Sequence, residues 1–258
     1  MKVSIITSCY NRANTIEGAI KSVFKQDYKD IEYIIIDGAS KDNSQSIIET
    51  TIKDAPKNVN VKYISEPDKG MYEGINKGIR MATGDIIGLC HSDDFIFDEH
   101  VISDYVREFE RTNADLIYAD GLFVNAVDIT KPVRRWIGGK YSKWKVRHGW
   151  LPLHPTCYIT RVAMEKYGLY DESFKIAADS DLLVRYLLKK DIKVAYLNGR
   201  FVIRMRMGGM STDATKRKKM WDEDIRVYKG HGFKHLTFTK LQKMTWKLPQ
   251  FVMAIIRK

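Results

Sequence analysis

The sequence predicts an α/β protein with a Rossmann-like, mostly parallel sheet flanked by helices and followed by a basic helical tail. Short apolar segments alternate with segments of helical periodicity through residues 1–120, which is the pattern of parallel strands joined by right-handed crossovers. The segment Ile31–Asp37 is apolar at nearly every position, as expected of a strand that helices cover on both faces. With 258 residues, of which 44% are hydrophobic, the chain can bury a large core.

The first elements follow one another in a regular cycle. Strands are predicted at residues 3–7, 31–37, 59–65, 86–90 and 116–119, and helices between them at residues 16–24, 44–52, 72–81 and 101–110. The first helix has its apolar residues at helical spacing and begins with a capping pattern, Asn14 followed by Glu17. Ligands of such sheets bind beyond the carboxyl ends of the strands, so we expect a site there.

The alternation weakens after residue 120. Residues 121–160 are rich in Trp and Gly and predict pocket walls rather than further parallel strands. A helix is predicted at residues 179–189, a Met- and Arg-containing segment at 203–210 and a charged helix at 214–228. We therefore divide the chain into an α/β half at residues 1–120, a second half of the same domain at 121–212, and a tail at 213–258.

The net charge of +11 is confined to the end of the chain. Residues 1–199 contain 28 Lys or Arg and 28 Asp or Glu, whereas residues 200–258 contain 15 and 4. Such a block is typical of segments that bind nucleic acid, an anionic membrane surface or a phosphate-bearing ligand. Because the body is neutral, we expect no nucleic-acid partner. A basic nucleic-acid-binding protein remains an alternative, which a salt-dependent response to DNA or RNA would favour.

The last residues of the tail are amphipathic. Aromatic and aliphatic residues lie among lysines and arginines, at positions 246, 248, 251, 252, 255 and 256. This pattern predicts either a segment that lies on an anionic leaflet or a helix that packs back onto the domain. Pro249 would shorten or kink any helix there.

Cysteine usage and hydropathy indicate the compartment. Cys9, Cys90 and Cys157 lie in apolar surroundings with no Cys-x-x-Cys pair, so we interpret them as reduced core thiols. No apolar run approaches the roughly 20 residues that span a bilayer, and the first residues do not have the pattern of a signal peptide. We expect a cytoplasmic protein that is peripheral at the inner face of the plasma membrane if the tail binds lipid.

Polar side chains follow successive strands at the same predicted sheet edge. They are Tyr10 and Arg12 after the first strand, Asp37 at the end of the second, Asp68 after the third, and Asp93 with Asp94 after the fourth. An aromatic face can stack on a base, a guanidinium can neutralise phosphate, and paired carboxylates suit Mg²⁺ or Mn²⁺. Each group alone is also compatible with turn or capping chemistry, so the convergence is what favours a ligand site.

Taken in order, the motifs of the chain resemble the family 2 inverting glycosyltransferases, which have a GT-A type fold. The segments that carry the resemblance are Ile6-Thr7-Ser8-Cys9-Tyr10-Asn11-Arg12, residues 36–44, Ser65-Glu66-Pro67-Asp68-Lys69-Gly70, residues 76–78 and 82–85, Ser92-Asp93-Asp94, residues 171–174, and Ala178-Asp179-Ser180-Asp181. The resemblance is to enzymes that build bacterial surface polysaccharide. It implies that residues 1–120 bind a nucleotide-sugar and that residues 121–212 bind the acceptor and carry the catalytic residue.

The resemblance also implies roles for residues on the donor side. It implies that Thr7, Tyr10 and Asp37 hold the nucleobase, with Arg12 and Asp68 nearby in the donor site.

The resemblance further implies a metal ion at the fourth strand. Asp93 would face the ribose or the metal, and Asp94 would coordinate the Mn²⁺ or Mg²⁺ that bridges the two donor phosphates. The family's pattern is often Asp-x-Asp. Here Ser92 stands at its first position, so coordination depends on Asp94 with help from Asp93.

Asp179 stands where the family keeps its catalytic base, usually within an acidic pair that is here Ala178 and Asp179. A carboxylate near the acceptor hydroxyl suits an inverting transfer. The alternative is that Asp179 is a carboxylate N-cap that stabilises a helix beginning here. Asp181 would be a supporting residue of the site.

Other residues are candidates for contact with the acceptor or with phosphate. The resemblance puts a segment containing His154 beside the acceptor, although a structural hydrogen bond would explain this residue equally well. Arg204 and Arg206 would point the same way from an extended segment, toward phosphate or toward solvent. The loop at residues 208–211 would then be a lid over the donor.

We therefore predict a metal-dependent glycosyltransferase that moves a sugar from a nucleotide-sugar to a hydroxyl of a glycan or polyprenyl-diphosphate-linked acceptor. A UDP-sugar is the favoured donor. A sugar-phosphate nucleotidyltransferase is the alternative enzyme, but the Gly-rich first loop typical of that class is absent from residues 8–12. A third hypothesis is a protein that binds a nucleotide-sugar without catalysing transfer. The sequence does not identify the sugar, the acceptor or the oligomeric state.

Overall fold

The computed structural model describes residues 1–209, 214–248 and 250. Within them, nine strands form one mixed sheet in the order β3-β2-β1-β4-β8-β6-β9-β5, with β7 paired to β6. The strands are β1 (Val3–Cys9), β2 (Ile31–Asp37), β3 (Val59–Ser65), β4 (Ile86–Leu89), β5 (Phe95–Ile96), β6 (Leu116–Val124), β7 (Pro132–Trp136), β8 (Tyr158–Thr160) and β9 (Val194–Arg206).

Helices cover both faces of this sheet. They are α1 (Ile16–Phe24), α2 (Ser44–Thr51), α3 (Met71–Met81), α4 (Val101–Thr112), α5 (Lys143–Arg147), α6 (Arg161–Tyr167), α7 (Ala178–Leu187), α8 (Arg217–Gly230) and α9 (Leu236–Thr245), with short 3-10 turns at Ile52–Asp54, His154–Thr156 and Ala214–Lys216. None of the described helices is long and apolar enough to cross a membrane.

The α/β class predicted from the sequence is confirmed. β1 pairs in parallel with β2 and β4, and β2 with β3. β8 then enters antiparallel between β4 and β6. It fits there because Gly88 has no side chain: a Cβ atom at this position would lie 2.3 Å from the ring of Tyr158.

Two predicted elements differ from the structure. β9 has 13 residues, although the sequence predicts only an extended segment from residue 203. Its first four residues are half-buried, the first three of them pair with β6, and the exposed Asn198 and Gly199 interrupt the apolar pattern after them. The start of α1 also differs: Thr15, not Asn14, is the N-cap residue, and no side chain caps this helix. The carbonyl of Arg12 instead accepts the N–H groups of Thr15 and Ile16.

Each face of the sheet has its own apolar core. In β2, Tyr33 and Ile35 pack toward α1 and α4, whereas Ile34 and Ile36 pack toward α3 and α7. α8 and α9 extend this second core, since Tyr228 and Phe233 are buried in it and Trp246 packs against it. The described part of the tail therefore packs on the body, while residues 251–258, on which part of the membrane prediction rests, lie outside the described residues.

Cys9, Cys90 and Cys157 are buried and form no disulfide. Burial raises the pKa of the Cys9 and Cys90 thiols to about 12, so neither is a thiolate near neutral pH. The structure agrees with their interpretation as core residues.

Candidate active site

A cleft of about 850 Å³ lies beyond the carboxyl ends of β1, β2, β3 and β4. Residues that follow these strands line one side of it, and α7 and α9 line the other. The position is that expected for the ligand of an open α/β sheet. Of the twelve residues predicted for the site, eight line the cleft: Tyr10, Arg12, Asp68, Asp93, Asp94, His154, Asp179 and Arg206.

Asp68 is held in a narrow space at the end of the cleft that follows β3. Its Oδ1 accepts the N–H of Gly70 at 2.9 Å. A Cβ atom on Gly38 would lie 2.7 Å from Asp68 Oδ2, and one on Gly74 would lie 2.6 Å from Ser8 Oγ. Burial raises the pKa of Asp68. The two glycines are therefore what allows this carboxylate to enter the cleft.

Tyr10 and Arg12 line the cleft beside Asp68. Tyr10 is 51% exposed, so one face of its ring is available to a ligand. The loop that carries both residues is fixed by its backbone: the N–H of Arg12 donates to Ser44 Oγ at 2.7 Å. An aromatic ring, a guanidinium and a carboxylate thus share this side of the cleft.

Thr7 and Asp37 are not part of the cleft wall. Thr7 Oγ1 donates to the carbonyl of Cys90 at 2.6 Å, and Asp37 Oδ2 accepts the N–H of Ser40 at 2.9 Å and the hydroxyl of Ser65 at 2.7 Å. Both side chains are fully buried. They hold the loops that form the cleft floor, and direct contact of either residue with a nucleobase stays a prediction.

Asp93 and Asp94 lie beyond β4, and both line the cleft. Asp94 is 3% exposed, and its Oδ1 accepts the N–H of Arg206 at 3.2 Å. Burial and then the charge of Asp93 raise the pKa of Asp94. The part of the chain that the structure describes has no group of three or more His, Cys, Asp or Glu side chains that could hold a metal. Two carboxylates do suit an ion such as Mg²⁺ that takes its remaining ligands from water and substrate phosphates.

Asp179 lies in the first turn of α7 and lines the cleft. The N-cap position is Ala177, so Asp179 is not the N-cap residue, although its carboxylate lies in the first turn, where it favours the helix terminus. Its Oδ1 accepts the N–H of Ser180 at 2.7 Å. Burial raises the pKa of Asp179, and the charge of Lys243 opposes that rise.

Glu223 of α8 fixes the start of α7. Its Oε2 accepts the N–H groups of Ile176 at 2.8 Å and Ala177 at 2.9 Å, and Oε1 accepts that of Lys175 at 3.1 Å. A carboxylate that takes three backbone donors holds the turn before Asp179 rigidly. The sequence reasoning missed this residue, because nothing in its local pattern distinguishes it from a charged helix surface.

The cleft wall formed by α9 was also missed. Lys243 donates to Asp224 Oδ1 at 2.7 Å and to Ser180 Oγ at 3.1 Å, and Lys240 donates to Asp224 Oδ2. Lys243 and Lys247 line the cleft. The spacing of lysines at 240, 243 and 247 indicates that they share one helix face, but it does not indicate that this face turns inward.

Trp246 also faces the protein. Its indole Nε1–H donates to the carbonyl of His148 at 2.9 Å, and its ring lines the cleft. For this residue the structure agrees with the prediction that the tail packs back onto the domain.

His154 lines the cleft but is already bonded. Its Nε2 lies 2.7 Å from the hydroxyl of Tyr170, and its ring lies 5.9 Å from that of His91. Burial, followed by the neighbouring His91, lowers the pKa of His154 to about 3, so its imidazole is neutral. Both interpretations of His154, contact with the acceptor and a structural hydrogen bond, are compatible with this position, since the residue has such a bond and lies on the cleft wall.

Asp181 and Arg204 do not line the cleft, although the sequence grouped both with the candidate acceptor or phosphate residues. Asp181 Oδ1 lies 2.8 Å from His231 Nε2, which ties α7 to the end of α8. Arg204 stacks over the ring of Phe97 at 4.5 Å. The contacts of Asp181 and Arg204 are therefore with other parts of the fold, and their contact with acceptor or phosphate stays a prediction.

Arg206 does reach the cleft. Its guanidinium stacks over Phe95 at 4.6 Å and donates to the carbonyl of Ala126 at 3.2 Å. Its backbone N–H donates to Asp94 Oδ1, and its charge opposes the rise in the pKa of Asp94. Gly209 lines the cleft as well, and residues 210 and 211 of the predicted lid lie outside the described residues.

The chain is similar to known protein families and structures. Residues 4–172 match the model of "Glycosyl transferase family 2". An uncharacterized glycosyltransferase of Nostoc is 34% identical over 113 residues, which are 44% of this chain and 34% of that protein. One of Rickettsia typhi is 28% identical over 224 residues, which are 83% of this chain and 66% of that protein. The chain thus spans about a third to two thirds of these curated relatives.

Solved structures share the fold. The Staphylococcus aureus TarS fragment 1-349 in complex with UDP-GlcNAc is 16% identical with a TM-score of 0.69, covering 98% of this chain and 72% of that one. A Pyrobaculum calidifontis mannosyltransferase in complex with GDP-Man and Mn²⁺ has the same identity and TM-score, covering 98% and 73%. Both are GT-A glycosyltransferase structures, and the likeness extends over nearly the whole chain.

Proposed function

The chain belongs to glycosyl transferase family 2, and we propose that it transfers a sugar, with inversion, from a nucleotide-sugar to a hydroxyl of a lipid-linked or oligosaccharide acceptor. One observation carries the proposal. The cleft contains an aromatic ring, a guanidinium and paired carboxylates on one side and the single carboxylate of Asp179 on the other. An inverting transfer requires both functions, because one set of groups stabilises the charge of the leaving group and a separate base accepts the proton of the acceptor.

The donor side would bind the nucleotide. Tyr10 would stack on the base, Arg12 would neutralise phosphate, and Asp68 would accept hydrogen bonds from the nucleoside. Structural neighbours that bind UDP-GlcNAc and GDP-Man support a nucleotide-sugar as the donor class. A UDP-sugar is our first choice for the donor.

Asp94 and Asp93 would hold a divalent cation, Mn²⁺ or Mg²⁺. Asp94 has the donor chemistry for such an ion, and the repulsion between two adjacent, poorly solvated carboxylates would be relieved by it. The neighbour in complex with Mn²⁺ supports the same choice. When bound, the ion would supply neutralisation of charge on the departing nucleoside diphosphate.

Asp179 would act as the general base. As the acceptor oxygen attacks the anomeric carbon, the bond from that carbon to the diphosphate breaks, and the hydroxyl proton passes to the Asp179 carboxylate. A carboxylate whose pKa is raised by burial is a stronger base than an exposed one. Glu223 supports this role by fixing the turn from which α7 begins.

The outer face of α9 would lie on an anionic leaflet. Four apolar side chains face outward there at helical spacing: Phe238 (58% exposed), Leu241 (49%), Met244 (53%) and, just after the helix, Leu248 (63%). The whole net charge of +11 belongs to residues 200–258. Apolar insertion and basic attraction together are typical of interfacial helices. An acceptor anchored in the leaflet would then meet the cleft that the inner face of α9 lines.

Vesicle flotation tests the membrane contact. Phe238→Ser together with Leu241→Ser should reduce recovery with vesicles that contain anionic lipid, whereas Val127→Ser, at an apolar residue 92% exposed elsewhere, should not. Equal recovery of both variants with anionic vesicles would contradict the contact.

Transfer itself is tested by product analysis. The protein is incubated with UDP-, GDP- and dTDP-sugars, Mn²⁺ and a bacterial lipid-linked oligosaccharide fraction, and the product is examined by mass spectrometry and proton NMR. We expect the acceptor to gain one sugar whose anomeric configuration is opposite to that of the donor. A product with retained configuration, or a nucleotidyl group on the product, would contradict the proposal.

A further inference from the structure

The cleft wall formed by α9 and the residues after it carries cations that the proposed transfer does not use. Lys243 and Lys247, one helical turn apart, both line the cleft. Arg134 of β7 lines it too, and its Nε donates to Gln250 Oε1 at 2.8 Å. The contact with Gln250 joins Arg134 to the same wall. The charges of Lys243 and Lys247 act on Asp179, and the charge of Arg134 acts on Lys247. The pKa of Asp94 is instead affected by Asp93 and Arg206.

Within the described residues, two lysines of this wall share one carboxylate. Asp224 accepts from both Lys240 and Lys243, so one carboxylate serves two lysines. Lys247 has neither a hydrogen bond nor an ion pair with its side chain among residues 1–209, 214–248 and 250. Burial, and then the like charges of Lys243 and Arg134, lower the pKa of Lys247 to about 8. A cation held beside other cations in a partly dry cleft binds an anion favourably, because the anion relieves the repulsion.

The surroundings of these cations are apolar and aromatic. The residues nearest in the cleft lining include three tryptophans and two leucines, namely Trp136, Trp150, Trp246, Leu151 and Leu183. Aromatic faces suit the apolar face of a sugar ring, and the lysines suit a phosphate. The opposite side of the cleft, with Asp93 and Asp94, would repel a second phosphate. The carboxylates beyond β4 would therefore hold a diphosphate only through a metal ion, whereas the lysines would bind a phosphate directly.

We propose that Lys247, with Arg134 and Lys243, forms a subsite for a phosphate or diphosphate group on the acceptor, separate from the place of the donor diphosphate. The inference rests on the proposed function. Lys243 connects the subsite to the base, since it bonds to Ser180 Oγ at 3.1 Å and its charge acts on Asp179. An acceptor sugar that carries its phosphate at the anomeric carbon would thereby present a ring hydroxyl to the base.

Pyrophosphate is the probe of the subsite. Its binding is measured by titration calorimetry in EDTA, which removes divalent ions from the carboxylates beyond β4. Loss of one charge-assisted contact in Lys247→Met should raise the dissociation constant about tenfold to a hundredfold. Lys247→Arg should bind nearly as the wild type does. Lys234→Met, the same charge loss at an exposed lysine, should change nothing. Equal affinity of the wild type and Lys247→Met overturns the subsite.

Nucleoside diphosphate separates this inference from the proposed function. With Mn²⁺ and saturating nucleoside diphosphate, pyrophosphate should still bind to the wild type, because the two sites are distinct. Competition between them would mean that the lysines belong to the donor site, which overturns the subsite. If no nucleoside diphosphate binds to the folded protein while pyrophosphate still requires Lys247, the proposed function fails and the anion site stands.

Acceptor kinetics identify the source of the phosphate. A polyprenyl-diphosphate-linked oligosaccharide in detergent and a free sugar 1-phosphate are compared as acceptors. For whichever is used, Lys247→Met should raise the acceptor KM about tenfold or more and leave the donor KM unchanged. Dephosphorylated acceptor should show no such difference between the variants. A rise in donor KM alone would contradict the assignment.

Discussion

Replacement of Asp179 by Asn should remove the base and leave the fold intact. Asn has the same shape, and its side-chain oxygen can still accept the N–H of Ser180 that Asp179 Oδ1 accepts at 2.7 Å. The turn before α7 is held by Glu223 through backbone donors that the substitution does not touch. Asp94 and the donor side lie across the cleft, so donor affinity should not change.

The size of the loss follows from what a positioned base contributes. General base catalysis is worth about 10² to 10⁴ in rate. Because burial raises the pKa of Asp179 toward the working pH, we expect the upper part of that range, roughly a thousandfold or more, which is about 4 kcal/mol in the activation free energy. The loss should appear in kcat.

The pH dependence supplies a second readout. Activity requires the deprotonated carboxylate, so kcat/KM should fall as the pH decreases through the raised pKa of Asp179. The positive charge of Lys243 lowers that pKa. Lys243→Met should therefore raise it further and move the acidic limb to higher pH, whereas Lys234→Met should leave the limb in place.

The assay measures release of nucleoside diphosphate from the donor in the presence of acceptor, with donor affinity determined separately by calorimetry. Circular dichroism and the melting temperature check that each variant is folded. If Asp179→Asn keeps more than about a third of the wild-type kcat, or loses donor affinity instead of kcat, Asp179 is not the base.

Three further substitutions test other parts of the structure. Asp224→Asn leaves two buried ammonium groups without their carboxylate, which should cost about 3–5 kcal/mol and lower Tm by roughly 6–20 °C in calorimetry; an unchanged Tm would contradict the pairing. Glu32 is fully buried, and although burial opposes ionisation, hydrogen bonds to lysine, serine and threonine lower its pKa from 4.5 to about 2. The contribution of Glu32 to the free energy of unfolding is therefore complete above pH 4.5 and is lost as the pH falls toward 2. In Glu32→Gln the urea midpoint of unfolding should depend less on pH between 4.5 and 2 than it does in the wild type. In Gly74→Ala the new Cβ would lie 2.6 Å from Ser8 Oγ and 3.2 Å from Asp68 Oδ2, so donor binding should weaken about tenfold or more while Tm changes little; unaltered donor affinity would exclude Asp68 from the donor site.

The parallel half of the sheet could be predicted because local sequence decides it. β2 is buried at every position, so it appears in the sequence as an apolar run that only Glu32 interrupts before it ends at Asp37. β9 could not be predicted in the same way, since the turn-forming residues Asn198 and Gly199 lie within it and its pairing with β6 determines its extent. Pairing of strands distant in the chain is not encoded in the pattern of either strand alone.

The site was predictable where its residues follow strands. Tyr10, Asp68 and Asp94 come directly after apolar segments, and the topology of a parallel sheet brings such positions to one edge. Lys247 and Glu223 depend on how α8 and α9 fold back over α7. A helix face that is charged gives no sign in the sequence of whether it meets solvent or lines a cleft.

The most direct test of the proposed donor site is calorimetric titration of UDP-, GDP- and dTDP-sugars, with and without Mn²⁺, into the wild type and Asp94→Ala. We predict that one nucleotide class binds, that binding requires the metal, and that Asp94→Ala loses this binding while remaining folded. Binding that is the same without metal and in Asp94→Ala would contradict the proposed donor site. Failure of every nucleotide-sugar to bind to the folded wild type would contradict the proposed function itself.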